Sequence, residues 1–384
     1  MAYFDNAATT YPKPEAVYQQ MDIVYRNTGG SAGRGDYRGS KAVGRLAEET
    51  RQAIKVLLHC PAKQVIFTPT GTLALNMILQ GLLQSGIKNI YITPFEHNAV
   101  TRILHHYEMQ QGIAVRQLAV NKQNFSYDLA AIKAAFEANK PELVIVSHAS
   151  NVTGLLAPIE EIFAMAKDWG AYTVADMSQT AGLVDVQVGE IFDFAVFAGH
   201  KTLYGPTGIS GFVMKPEFKL PSILFGGTGY DSANQDMPDR LPEKFEMGTM
   251  NLSGIAGLHA ALTWMQEQGI DEIRDREKHN RQRLLKLLVQ YRFIQLVGVS
   301  NAGDGADYVG VVSCLLKGIS SDSAGMIFNE RGISVRTGLQ CAPLAHQFLG
   351  TYPAGTVRFS VSYFTSDEDF CKLKDALDDI EDSL

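Results

Sequence analysis

Two residues carry the most chemistry in this 384-residue chain. Asp176 ends the apolar run Thr173-Val174-Ala175-Asp176, and Lys201 ends Phe197-Ala198-Gly199-His200-Lys201. Lys201 also follows a second apolar run, Phe194-Ala195-Val196-Phe197. Such runs fill buried strands, and open α/β sheets bind ligands where those strands end. One acid and one amine at that edge suit pyridoxal phosphate (PLP). The amine forms a Schiff base with the aldehyde, and the acid keeps the ring nitrogen protonated. A lysine in this role must lose a proton, so neighbouring positive charge and partial burial are expected to lower its pKa.

Other short segments fall at strand ends. Thr70-Gly71-Thr72 follows a strand and opens a helix, where backbone N–H groups and hydroxyls can hold a phosphate; Thr70 as an ordinary N-cap is the simpler alternative. Glu96-His97-Asn98 offers an imidazole that could stack on a flat ring, although a lone histidine is more often a surface residue. Asn151 offers an amide for a phenolic oxygen, or simply a turn, and Gln179 adds a second polar group on the Asp176 loop. His200 can donate to a phosphate. Cys341 lies in Arg336-Thr337-Gly338-Leu339-Gln340-Cys341-Ala342-Pro343, a Gly- and Pro-bounded loop that favours access. Arg336 nearby favours its thiolate. Arg358 has the planar fork that suits a carboxylate, or a surface salt bridge.

The elements that must position these residues follow a β-α-β rhythm from about residue 41. Strands are expected at 65–67, 90–92, 115–118, 143–146 and 172–175, and helices at 43–58, 72–83, 100–107 and 159–169. This order predicts a large, mostly parallel mixed sheet covered by helices on both faces. After about residue 250 the texture changes. Helices at 254–266, 271–289 and 322–330, with strands at 309–316 and 357–361, suggest a smaller α+β domain. Residues 15–250 would form the large domain, and 1–14 with 251–384 the small one carrying the cysteine loop. The glycine-dense stretch 29–35 matches neither a Walker loop nor a dinucleotide fingerprint and is expected to be a mobile loop near the site.

Composition narrows the partners. A net charge of −7 argues against a dedicated nucleic-acid binder. No apolar run approaches a membrane span, and Met1–Thr10 lacks the basic-then-apolar order of a secretory signal. Four cysteines lie far apart without zinc-site spacing, so no metal is expected, and free thiols suit a reducing cytoplasm.

Taken in order, these segments resemble the cysteine desulfurase and selenocysteine lyase family, within the class V aminotransferases of PLP fold type I. The resemblance runs from Tyr3-Phe4-Asp5-Asn6-Ala7-Ala8-Thr9-Thr10 to Arg358. It implies that Asn6, Ala7 and Arg358 bind substrate, and that Gly71, Thr72 and His200 hold the phosphate. It implies further that His97 stacks on the ring, Asn151 and Gln179 bond the phenolic oxygen, Asp176 pairs with the pyridinium and Lys201 carries the cofactor. Thr249, in Phe245-Glu246-Met247-Gly248-Thr249, would reach the phosphate of a second subunit in a homodimer. Arg-Thr-Gly-x-x-Cys-Ala at 336–342 resembles the second group of desulfurases, with a short cysteine loop. The implied activity converts L-cysteine to L-alanine and leaves sulfur on Cys341 for an acceptor protein. Selenocysteine lyase, another class V lyase or aminotransferase, and a non-catalytic sulfur relay remain open alternatives. Three departures from the family pattern stand out: Ala198 replaces a usual serine, the segment between Lys201 and Tyr204 is one residue longer, and Leu339 and Gln340 replace histidines.

Overall fold

The computed structural model describes residues 1–30, 37–300 and 306–384. Residues 31–35 of the glycine-dense stretch, expected to be a mobile loop near the site, lie outside the described residues. The chain opens with β1 (Ala2–Tyr3), α1 (Glu15–Asn27) and α2 (Arg38–Leu57). Then follow β2 (Gln64–Thr68), α3 (Gly71–Gln84), β3 (Asn89–Ile92), α4 (Asn98–Gln111), β4 (Ala114–Gln117), α5 (Leu129–Ala138) and β5 (Leu143–Ser147). After α6 (Ile159–Lys167) come β6 (Tyr172–Asp176), β7 (Phe194–Ala198) and β8 (Ser210–Met214).

Strands β2 to β8 form one sheet in the order β2-β8-β7-β6-β5-β3-β4. From β7 to β4 every neighbouring pair is parallel, and β8 runs antiparallel between β7 and β2. The strands β5, β7 and β8 are buried along their whole length, as strands covered on both faces must be. Alternate residues feed opposite layers. Val144, Ala175 and Phe197 pack with α2 and α6, whereas Ile145, Val174 and Val196 pack with α3 and α4.

The remaining elements are α7 (Leu252–Gln268), α8 (Ile270–Leu288), β9 (Ile294–Val297), β10 (Val311–Leu316), α9 (Ser321–Glu330) and β11 (Ile333–Ser334). They continue with β12 (Arg336–Gly338), α10 (Pro343–Leu349), β13 (Thr356–Ser360) and α11 (Asp367–Asp382). An antiparallel sheet β12-β13-β10-β9 forms here, and β1 pairs in parallel with β11. Its core joins Ala2 and Phe4 to Leu284, Phe359, Leu373 and Leu377, so the N-terminus packs with the C-terminal third. Helix α7 instead contributes Ile255, Leu258 and Met265 to the core of the large sheet.

The mixed α/β architecture agrees with the sequence reading, and most boundaries differ by one or two residues. The sequence reading placed no element at β1, α1, α5, β8, β9, β11, β12 or α10. Helix α1 buries only Val17 and Val24 fully, too sparse an apolar stripe to stand out. The strand expected from Val309 starts at Val311, because Val309 N–H donates to Gly154 O instead of extending the ladder.

Candidate active site

Lys201 sits in a tight turn just past β7. A Cβ on Gly199 would lie 2.4 Å from the Ile209 carbonyl oxygen, so this approach requires glycine. Tyr204 N–H donates to Lys201 O at 2.9 Å, and Gly205 N–H to Gly199 O at 2.8 Å. The N-terminal segment clamps the same turn: Thr10 Oγ1 donates to Lys201 O at 2.7 Å, and Lys13 Nζ to His200 O at 2.7 Å. Burial pushes the Lys201 amine down to about 8; Arg358 adds to the shift, and Asp176 opposes it. Burial, with help from Lys201 and Lys13, pushes His200 down to about 4, so its imidazole is neutral near pH 7. Its buried Nδ1 has no hydrogen-bond partner among the described residues.

A cavity of about 280 Å³ opens at the carboxyl ends of these strands. Gly71, Thr72, His97, Asn151, Asp176, Gln179, His200 and Lys201 all line it, so eight expected site residues converge. Thr70 does cap α3, its hydroxyl accepting from Leu73 N–H at 3.1 Å. The cap fixes the helix, whose positive end faces the cavity. His97 caps α4 in the same way, Nδ1 accepting from Ala99 N–H at 3.0 Å, and burial holds its pKa below the usual histidine range. Asp176 accepts from Ser178 N–H at 3.0 Å.

Behind these residues stands Glu96, fully buried. Its two oxygens accept from Thr93 Oγ1, Ser147 N and Ser147 Oγ, each at 2.7 Å. Burial pushes its carboxyl up to about 7. No residue pattern announces this role, because an acid beside a loop histidine reads as solvated. His148 is likewise a core residue, bonded to Thr180 Oγ1 at 2.9 Å and pushed down to about 4 by burial.

Cys341 is exposed and opens on a second cavity of about 440 Å³ that shares Thr72 and His97 with the first. Gln340 and Cys341 both adopt left-handed backbone, φ 41° and 58°. Their carbonyl oxygens are gripped by Asn151 Nδ2 and Asn98 N–H, each at 2.7 Å. Gln340 is buried, its Nε2 donating to Thr356 O at 3.0 Å and its Oε1 bonded to His346 at 2.8 Å. Cys60 and Cys314 are buried, and burial raises both thiols, Cys60 to about 11 and Cys314 to about 12. Cys371 is exposed on α11.

Arg358, on β13, is buried rather than a surface ion-pair residue. It donates to Asn151 O at 2.9 Å and to Asp5 Oδ1 at 2.6 Å, while Nε has no partner among the described residues. Asn6 Nδ2 donates to Ser360 O at 2.8 Å, and Ala7 N–H to Ser360 Oγ at 2.8 Å. Gln179 Nε2 closes the loop by donating to Ala7 O at 3.0 Å. Asn6 and Ala7 line an adjoining cleft together with Gln179 and Lys201, whereas Thr249 is further removed. It lines a separate cavity of about 360 Å³ with Phe67, Met77 and Phe245.

The donor set fits a phosphorylated pyridine aldehyde. The N-terminus of α3 and the orphaned His200 Nδ1 suit a phosphate, Asp176 a ring N–H, and the depressed Lys201 an aldehyde. Asn151 Oδ1 is also buried without a partner among the described residues, and its amide nitrogen keeps one N–H beyond the bond to Gln340.

A mixed α/β sheet with an acid and a lysine beyond adjacent parallel strands defines the class of protein. The family model described as Aminotransferase class-V matches residues 2–373. A protein from Methanothermobacter thermautotrophicus named probable cysteine desulfurase is 30% identical, the match covering 98% of this chain and 94% of that one. One from Haloferax volcanii named cysteine desulfurase is 28% identical over 98% of this chain and 89% of its own. The apo structure of a cysteine desulfurase from Thermococcus onnurineus superposes with a TM-score of 0.90 at 27% identity, covering 100% of this chain and 95% of that one. The chain belongs to the class-V aminotransferase family, among relatives named cysteine desulfurases.

Proposed function

We propose that this chain is a PLP-dependent cysteine desulfurase that converts L-cysteine to L-alanine and carries the released sulfur as a persulfide on Cys341. The observation that supports it most is the juxtaposition of two cavities. The Lys201 and Asp176 cavity meets, at Thr72 and His97, one that holds an exposed thiol.

When bound, the cofactor supplies an electron sink conjugated to the substrate Cα. Gly71, Thr72 and His200 would hold the phosphate, His97 would stack on the ring, and Asn151 and Gln179 would bond the phenolic oxygen. Asp176 would keep a proton on the ring nitrogen. Arg358, with the Asn6 and Ala7 segment, orients the substrate carboxylate. Lys201, whose amine is neutral above about pH 8, removes the Cα proton; Cβ and then Cα are protonated in turn, the second proton being the one the Cys341 thiol gives up. Cys341 Sγ attacks the substrate sulfur: a sulfur–sulfur bond forms, the carbon–sulfur bond breaks, and its electron pair stays with Cβ. A thiol on an acceptor protein then takes the sulfur.

The same proposal includes a homodimer in which Thr249 serves the partner's phosphate. It includes two working units, 15–250 and 1–14 with 251–384, supported by the core that Ala2 and Phe4 share with the C-terminal third, although α7 packs on the large sheet rather than in that core. It also includes a cytoplasmic setting, supported by four free cysteines. Among the described residues no helix is long and apolar enough to cross a membrane.

The test is Cys341→Ala. The variant is expected to keep the yellow bound cofactor and to lose both the persulfide, read by mass spectrometry, and alanine release from cysteine. Sulfide release at the wild-type rate would remove Cys341 from the reaction. Turnover of selenocysteine by that variant, without turnover of cysteine by either protein, would instead assign a selenocysteine lyase.

A further inference from the structure

Tyr204 is a bulky residue in the left-handed region, φ 56°, a conformation that L side chains other than Asn and Asp rarely adopt. Such a residue keeps that backbone only where its surroundings fix it from several sides. Here its ring is fully buried against Trp264 and Phe364, at centroid distances of 5.1 and 5.9 Å. Its hydroxyl donates to Glu277 Oε1 at 2.5 Å and accepts from Tyr363 N–H at 3.0 Å. Glu277 lies on α8 and is buried. Tyr363 follows β13, the strand of Arg358, by three residues. At the other end, Tyr204 N–H holds Lys201 O at 2.9 Å.

These bonds make one chain behind the site, from α8 through Tyr204 to the Lys201 turn and to the end of the Arg358 strand. We infer that Glu277 is a positioning residue: through the Tyr204 hydroxyl it sets the distance between Lys201 and Arg358, and so between the proton-transferring amine and the substrate carboxylate. The inference rests on the proposed role of Lys201. Only an acceptor oxygen at position 277 is required. A glutamine there preserves the bond, whereas leucine keeps the bulk and removes it.

The experiment compares E277L, E277Q and Y204F with wild type, all loaded with PLP. It measures the pH midpoint of the cofactor's visible band without substrate, then kcat and KM for cysteine. E277L and Y204F are expected to shift the midpoint alike and to lower kcat/KM roughly tenfold, the worth of one lost buried hydrogen bond. The double variant E277L/Y204F should be no worse than either single change, and E277Q should stay within about twofold of wild type. The inference is overturned if E277Q is as impaired as E277L. It is equally overturned if E277L and Y204F lower only the melting temperature while the midpoint, kcat and KM stay unchanged. A wild-type protein with no visible band overturns the Lys201 reading, and this one with it.

Discussion

At the scale of single residues, what matters is how the site changes the ordinary chemistry of common side chains. A surface lysine titrates near 10.5, and burial brings Lys201 to about 8 because the charged form loses its water. The sign for stability follows. Between about 8 and 10.5 the unfolded chain binds more protons here than the folded one, so this residue's contribution rises with pH across that window. Below about 8 its full burial cost is present. In cofactor-free protein, amine labelling of Lys201, followed by peptide mass spectrometry, should reach half its maximal rate near pH 8, while exposed lysines remain slow. A half-maximum near 10.5 would show that the turn does not desolvate the amine. Lys201, Asp176 and Cys341 were legible in the sequence, because their residue types and loop settings announce their chemistry. Glu96, Asp5 and Lys13 were not assigned roles, because each acts on a residue far away in the chain or hidden behind it.

Elements turn these residues toward one another. Helix α3 presents its positive end to the cavity only while its first turn is formed, and Thr70 secures that turn. Thr70→Ala should cost about 1 kcal/mol in urea unfolding. It should also weaken PLP retention in dialysis more than an equally destabilising change on α11. Equal retention in the two variants would separate the cap from the phosphate site. The long apolar strands and their β-α-β order were readable, since burial on both faces leaves a continuous apolar run. The antiparallel β8 was not. Its reversal comes from the turn at Tyr204–Gly208, and the direction of a strand leaves no trace in its apolar pattern.

For the molecule as a whole, the site depends on the two chain ends meeting. Asp5, near the N-terminus, pairs with the buried Arg358 on β13 at 2.6 Å, and β1 pairs with β11. Removing one partner of a largely buried ion pair leaves the other charge unpaired, at a cost on the order of 3 kcal/mol. Asp5→Ala should therefore lower thermal stability and raise KM for cysteine, with Arg358 no longer held. A variant with unchanged KM would show that the arginine is positioned by Asn151 alone.

By itself the sequence determined which side chains could do this chemistry and the α/β class of the sheet. Both are local properties: an ionisable group after an apolar run, and the periodicity of burial. The tertiary structure alone decided that eight residues from five separate segments share one cavity, that Cys341 opens on the adjoining one, and that Arg358 is buried against Asp5. It also decided that Thr249 lies elsewhere. These are distances between points far apart in the chain, set by sheet order and by the close approach of backbones at Gly199 and Ile209, and no residue pattern records them.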